Sequence, residues 1–213
     1  MIVIPQDMPI DVAPLAWMLG QWEGWGMLTP DPVADQAALP DDAGEATGSV
    51  TDVPVLEKVR AELVGTQLAV TTTVWAAESD GSALDATWDA AIGMSHLTSG
   101  DLLWEETLYV RVEPGSGVLP PPGEVEPREF TATGATTKGL GTLWSGVCVG
   151  PRVQMASDAV ARGSAALPVE HEGRMYGLVA GELLWTQERT VEGSDPAVEI
   201  SGRLMRVAGP ADE

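Results

Sequence analysis

Imidazole and thiol side chains, which bind transition metals and titrate nearest to neutral pH, are few in this sequence. The only imidazoles are those of His96 and His171, and Cys148 supplies the only thiol. The sequence contains no phosphate-cradling glycine loop, no His-Glu-x-x-His, no paired-cysteine metal knuckle and no serine at a nucleophile elbow. The motifs alone therefore indicate no catalytic constellation.

Two of these three residues have an ordinary interpretation. His171 stands between Glu170 and Glu172 and just before Gly173, which predicts a solvated side chain in a turn. Cys148 lies between two valines in an apparent strand, where a cysteine is typically a small buried hydrophobe; a reactive thiol is the alternative. The eight methionines are interpreted as core residues that fill gaps.

The composition limits the class of protein. The chain has 213 residues, a formal net charge of -21 and 44% hydrophobic residues including eight tryptophans. The hydrophobic content is sufficient for a folded core. The negative charge repels nucleic-acid phosphates and anionic lipid surfaces. A single cysteine forms no intramolecular disulfide, and neither a signal peptide nor a membrane-spanning apolar run is present. We therefore expect a cytoplasmic protein with no nucleic-acid or membrane partner.

Most of the chain has the pattern of short strands. Residues 56–63 and 66–75, with Gly65 between them, predict a hairpin. Residues 114–127 form a proline- and glycine-rich loop that interrupts the sheet. The clearest alternation predicts one mainly apolar strand face, formed by Leu102, Trp104, Glu106, Leu108, Val110 and Val112. Many short strands with little helix indicate a sandwich or a closed antiparallel barrel.

The remaining segments are short or irregular. Residues 1–12 are expected to be a tail, and the chain between Pro14 and Gly20 predicts one or two helical turns. Residues 29–48 predict a long acidic loop without periodicity. At 22.3 kDa the protein is expected to be one domain.

The two ends of the chain carry the most informative motifs. Residues 15–26, Leu-Ala-Trp-Met-Leu-Gly-Gln-Trp-Glu-Gly-Trp-Gly, predict a helical turn and then a strand with Trp22, Gly24 and Gly26 on one face. Closing strands are predicted near the other end, over residues 174–179, 182–185 and 200–204.

These motifs resemble those of the nitrobindin family, small β-barrels related in shape to fatty-acid-binding proteins that hold a haem at one end. The resemblance implies an all-β fold of the calycin type, an antiparallel barrel of about ten strands with a short N-terminal helical turn. It covers residues 15–26 and 150–207 and is poor between Met27 and Ala91. We therefore expect one domain over residues 13–208, a divergent segment around 27–91 and a C-terminal tail at 209–213.

The resemblance also identifies a substitution. In the family the iron ligand is a histidine just before the last-strand stretch, and the matching position here is Glu199. A carboxylate is a hard oxygen donor, whereas haem iron usually takes nitrogen or sulfur, so we expect no haem and no other cofactor or metal. Strand alternation places Glu199 on one face with Ser201 and Arg203. We expect its side chain to be solvated at a wet barrel mouth, and a specific role in ligand binding is the alternative.

Three functions follow from these expectations. The first is a nitrobindin-like barrel that has lost haem binding and is not an enzyme. The second is a binding protein for a small apolar ligand in the barrel cavity, with Glu199, His96, Trp22 and Gly24 as candidate cavity residues. The third is a haem protein acting on nitric oxide or peroxynitrite through His96 or a methionine, since Ser95-His96 resembles a distal Ser-His pair of the family. An exposed face at Trp25 or Trp75 could support a homo-oligomer.

Overall fold

Ten antiparallel strands close into a barrel in this computed structural model, which describes residues 8–30, 52–118 and 120–209. Each strand pairs with its neighbours in sequence, and the first strand pairs with the last. This arrangement confirms the expected fold class. The strands are β1 Gly20–Leu28, β2 Val53–Val64, β3 Gln67–Ser79, β4 Leu97–Val112, β5 Arg128–Thr136, β6 Leu140–Cys148, β7 Arg152–Arg162, β8 Val169–Val179, β9 Glu182–Val191 and β10 Ala197–Ala208.

One end of the barrel is closed by a 3₁₀ helix, Ile10–Met18, in place of the shorter helical turn expected after Pro14. The helix buries Leu15 and Met18 in the core, and Gly20 takes a positive φ of 107° where the chain turns into β1. Arg206 from β10 donates to the carbonyl of Trp17 at 2.7 Å. The last strand therefore anchors this end of the barrel.

The predicted hairpin of β2 and β3 is present, with Gly65 at φ 62° in the turn. The alternation predicted for β4 holds from Trp104 onward but fails at Leu102, which is 54% exposed. The reason is an irregularity in the pairing of β3 with β4, where the register shifts on both sides of Trp75. Leu103 packs against the core instead.

A single helical turn, α1 (Ala90–Ser95), lies against the outer side of β1. Asp89 caps it by accepting a hydrogen bond from the backbone N–H of Ile92 at 2.8 Å. Gly93 packs directly on the indole of Trp25, where a Cβ would overlap the ring, and Trp25 is only 4% exposed. The expectation that Trp25 is exposed is therefore wrong, because α1 covers this side chain; a homo-oligomer, for which Trp75 is the alternative face, stays a prediction.

Two further expectations concern the ends and the loops. The described residues do not include 31–48 of the predicted acidic loop, 1–7 of the predicted N-terminal tail or 210–213 of the predicted C-terminal tail. The region expected to be divergent includes the β2–β3 hairpin. Within residues 8–30, 52–118 and 120–209, no helix has the length and apolar character needed to cross a membrane.

Candidate functional site

The inward faces of β8 and β9 carry charges as well as apolar side chains. In the antiparallel register of this pair, Glu172 lies opposite Arg189 and Arg174 lies opposite Gln187. Nη2 of Arg189 donates to Oε1 of Glu172 at 3.2 Å, and Nε of Arg174 donates to Oε1 of Gln187 at 2.8 Å. These cross-strand pairs place a polar layer inside the barrel.

Glu199 belongs to this layer. A bulge between Val198 and Ile200 adds a residue to β10 and turns the Glu199 side chain inward, where it is 9% exposed. Its carboxylate forms an ion pair with Nη1 of Arg189 and accepts from Nε2 of Gln187 at 2.7 Å.

Two expectations about Glu199 are corrected by this geometry. The side chain is buried and paired, so it is not solvated at a wet mouth. The bulge also separates Glu199 from Ser201 and Arg203, which lie on the outer face of β10; Arg203 pairs there with Glu182 at 3.4 Å.

The centre of the polar layer is an ion pair between Arg174 and Glu106, which are 3% and 2% exposed. Burial raises the pKa of Glu106, while the charge and hydrogen bond of Arg174 oppose that rise. The guanidinium also lies 5.0 Å from the ring centre of Trp144. Counting Lys138, whose Nζ is 4.0 Å from Glu199, three cations face three carboxylates, so the layer is balanced in charge.

A further inward carboxyl, Glu57, faces no cation in the described structure. Its Oε2 accepts from Nε1 of Trp185 at 2.7 Å, and its Oε1 has no hydrogen-bond partner among the described residues. Burial raises the pKa of Glu57 to about 8, so the group is mostly protonated at neutral pH. The carboxyl packs against the α-carbons of Gly26 and Gly202, where a Cβ would overlap it.

The donor set at position 199 does not fit a haem. Iron in a haem usually takes an imidazole, a thiolate, a thioether or a tyrosinate, and here the side chain is a carboxylate already bound to Arg189 and Gln187. An iron at this position would have to compete with a guanidinium for the same oxygen atoms.

The two histidines lie elsewhere. His96 is the C-cap of α1, outside the barrel wall; its Nδ1 is 2.9 Å from Oδ2 of Asp80 and its ring stacks on Trp88. The pairing with His96 lowers the pKa of Asp80 to about 2. His171 lies in β8 and not in the predicted turn, although its side chain is exposed as expected; its Nδ1 is 3.1 Å from Oγ of Ser157.

The other candidate residues have packing roles. Trp22 donates to the carbonyl of Met18 at 2.8 Å beside the 3₁₀ helix, and Gly24 meets the backbone of Arg203 so closely that a Cβ would overlap it. Trp22 pairs with Arg206, seven residues along β10 from Glu199 and so roughly 23 Å away. The structure therefore does not bring the four candidate residues into one cavity. Cys148 is 1% exposed, which confirms its interpretation as a buried hydrophobe, and burial raises its pKa.

The structure has a ligand-sized cavity on the outside of the barrel, over β7 to β10 and β1. We call it the outer groove; it has a volume of about 570 Å³. The small residues Gly177, Thr186 and Ser201 form its floor. Its apolar lining includes Met27, Met175, Val179 and Leu184, and two cations also line it, Arg152 on the outermost strand β7 and Arg203 on β10. By contrast, the cavity between the 3₁₀ helix and the core holds only about 20 Å³.

Sequence reasoning missed both the polar layer and the outer groove. A signal for the layer was present, because Glu172 and Arg174 on one strand and Gln187 and Arg189 on the next repeat at the two-residue spacing of one strand face. No comparable signal marked the groove, since its residues come from five strands, β7 to β10 and β1, whose outward positions look like ordinary surface.

Comparison with known proteins identifies the relatives of this chain. Residues 11–206 match the family model described as "THAP4-like, heme-binding beta-barrel domain". The chain is 32% identical to the ferric nitrobindin-like protein of Beutenbergia cavernae, over 96% of this chain and 98% of the relative. It is 28% identical to the peroxynitrite isomerase of Renibacterium salmoninarum, over 98% of this chain and 95% of the relative.

A solved structure shares the fold. The crystal structure of Rv2717c from M. tuberculosis superposes with a TM-score of 0.61 at 19% identity, over 94% of this chain and 99% of that one. One expectation is overturned by the relatives: several that cover almost the whole chain are named peroxynitrite isomerase, which contradicts the prediction that this protein is not an enzyme. The extent of the family match and the 32% identity show that the chain belongs to the nitrobindin family, the THAP4-like haem-binding β-barrel domains.

Proposed function

We propose that this protein binds a small apolar molecule in the outer groove and does not hold haem through position 199. The observation that carries the proposal is the groove itself, which combines a volume of about 570 Å³ with an apolar lining from Met27, Met175, Val179 and Leu184. Pockets of roughly 300–1,000 Å³ with mostly apolar walls are typical of small-molecule sites. Relative to the expectation from sequence, the ligand site moves from the barrel interior to its outer face.

A neutral apolar dye such as Nile red tests the site. We expect saturable binding with a fluorescence increase, and a loss of affinity of at least about tenfold in the variant Leu184→Asp, because a charged carboxylate in the groove must be desolvated when the dye binds. Leu143→Asp is the matched control, since Leu143 is an exposed leucine on the outer face of β6. Equal binding by both variants, or no binding by the wild-type protein, contradicts the proposal.

The part of the proposal that concerns haem rests on the contacts of Glu199 with Arg189 and Gln187. A haemin titration followed by absorbance tests it, with Glu199→His beside the wild-type protein. We expect no Soret band from the wild type. A band in the variant alone assigns the loss to the side chain at 199, and a band in neither protein assigns it to the surrounding polar layer.

The relatives named peroxynitrite isomerase favour a second candidate function, peroxynitrite isomerisation by a haem held through another ligand. Under this alternative the wild-type protein gives a tight Soret band and accelerates peroxynitrite decay when loaded. Replacement of His96 by alanine then tests that residue as the ligand. A wild-type Soret band overturns the expectation that the wild-type protein takes up no haemin, and a band that is lost when Glu199 is replaced by glutamine contradicts the first proposal at position 199.

A further inference from the structure

We infer that the ligand of the outer groove is an apolar molecule with one carboxylate at its end, and that Arg152 binds this carboxylate. The inference rests on the proposed function and adds the chemical class of the ligand. It is carried by the position and the contacts of Arg152 in the described part of the chain.

Arg152 is unusual among the cations of this protein. The sequence has eleven lysines and arginines against 32 aspartates and glutamates, so we expect most of these cations to have a carboxylate partner. Arg206 is held by backbone carbonyls and by the ring of Trp22 at 4.0 Å. Eight others lie within 4.0 Å of a carboxylate: Lys58, Arg60, Arg128, Lys138, Arg162, Arg174, Arg189 and Arg203.

Two arginines remain, Arg111 and Arg152, and neither has a carboxylate partner among the described residues. Arg111 lies on the exposed face of β4, whereas Arg152 lies at the edge of the outer groove. The Nη2 of Arg152 is 3.4 Å from Sδ of Met175, a residue of the groove wall. A thioether is a weak acceptor, so this contact leaves the fork of the guanidinium available to an anion.

The other cation of the groove is already used. Arg203 pairs with Glu182 at 3.4 Å and donates to the carbonyl of Trp88 at 2.7 Å. The groove therefore has one available cation at the β7 side and a neutralised one at the β10 side. This asymmetry predicts a ligand with a single negative end.

The width of the groove across the strands indicates the orientation of such a ligand. From Arg152 at the start of β7 to Met27 on β1 the groove crosses four strand spacings, or about 19 Å at 4.8 Å each. Because the net charge of -21 repels free anions, the guanidinium alone does not concentrate a small anion such as acetate. The apolar body along Met175 and Leu184 supplies the basal affinity, and the carboxylate adds to it by binding Arg152 in the paired geometry of guanidinium and carboxylate.

Displacement of Nile red by decanoate and by decanol tests the inference, because the two compounds share one chain and differ in the charge of the head. We expect decanoate to bind the wild-type protein about tenfold more tightly, as a charge-assisted hydrogen bond supplies. The variant Arg152→Gln should bind both compounds equally, with the affinity for decanol unchanged. Arg111→Gln is the matched control and should keep the preference; acetate should displace nothing.

The outcomes separate this inference from the function on which it rests. Equal affinities of decanoate and decanol for the wild type, or a preference that survives Arg152→Gln, overturn the role of Arg152 while the groove remains a site for apolar ligands. Displacement by neither compound from a dye-bound protein overturns the ligand class. Absence of dye binding itself overturns the proposed function.

Discussion

Carboxyl groups inside the barrel take two different states because their neighbours differ. Glu199 meets a guanidinium and an amide N–H, and so it forms a buried ion pair. Glu57 meets only the indole N–H of Trp185, and its second oxygen has no partner among the described residues. Because no cation among the described residues faces Glu57, burial favours the neutral, protonated form of its carboxyl group. The same side chain is therefore ion-paired at one inward position and mostly neutral at another.

The state of Glu57 predicts how stability depends on pH. Its pKa rises from 4.5 to about 8 on folding, so the folded protein binds the proton more tightly than the unfolded chain does. The stabilisation from this proton is complete below about pH 4.5 and is lost as the pH rises through 8. Urea unfolding between pH 5 and 9 should show a decline of several kcal/mol that Glu57→Gln removes.

The control for this prediction is Glu62→Gln, because Glu62 is a half-exposed glutamate on the same strand. The relevant quantity is the difference between wild type and variant, since the pKa of Glu106 is raised as well. Identical pH profiles of the wild type and Glu57→Gln between pH 6 and 9 would show that Glu57 is ionised in the folded protein.

Bulges decide where strand side chains point, and they limit what the sequence predicts at the level of elements. The alternation of apolar residues located the hairpin of β2 and β3 and most of β4 correctly. It failed at Leu102 and at Glu199, and both lie where the ladder shifts register. A bulge moves a side chain to the other face of a strand without changing the residue pattern, so periodicity alone could not place these two residues.

The candidate site was partly accessible from the sequence for the same reason. The family resemblance pointed to Glu199 as the position of the family's haem ligand, because the motif that carries the resemblance consists of residues adjacent in the chain. The partners Arg189 and Gln187 depend on the pairing of β9 with β10, and the outer groove depends on five strands at once. Neither feature can be predicted until the registers are known.

The glycines of β1 and β10 form an element-scale constraint that can be tested by Gly202→Ala. A Cβ at this position would overlap the carboxyl of Glu57, and that carboxyl is fixed by Trp185. We expect a loss of about 1–3 kcal/mol in the free energy of unfolding. Gly173→Ala is the control, because its Cβ would lie 3.7 Å from the nearest atom, Oε2 of Glu188. Equal losses in both variants would show that the Glu57 contact has no special cost.

At the scale of the whole molecule, the charge is separated by location. The polar layer inside the barrel is balanced, with three cations facing three carboxylates, and Glu57 adds no charge while protonated. The formal net charge of -21 counts Glu57 as ionised; with that carboxyl protonated it is smaller by one in magnitude, and it is carried outside this layer. Like charges on a compact protein repel one another and favour expansion.

This distribution predicts that salt stabilises the protein. Raising the sodium chloride concentration from about 0.02 to 0.2 M shortens the Debye length from roughly 20 to 7 Å and screens the surface repulsion more than the buried pairs. The urea midpoint at pH 7 should therefore increase. Sodium sulfate at matched ionic strength is the control. Screening predicts the same increase with both salts, and any additional increase with sulfate reports its exclusion from the protein surface. A midpoint that falls with salt would show that attractive surface pairs dominate.

Because β1 pairs with β10, the barrel can close only late during synthesis on the ribosome. The strand made first, Gly20–Leu28, is completed by the strand made last, Ala197–Ala208. At about 5–20 residues per second, synthesis leaves the edge of β1 without its partner for roughly ten to thirty seconds. Closure of the barrel must therefore wait until Ala197–Ala208 has been synthesised, and a nascent chain that stalls before Ala197 would expose a strand edge open to pairing with other chains.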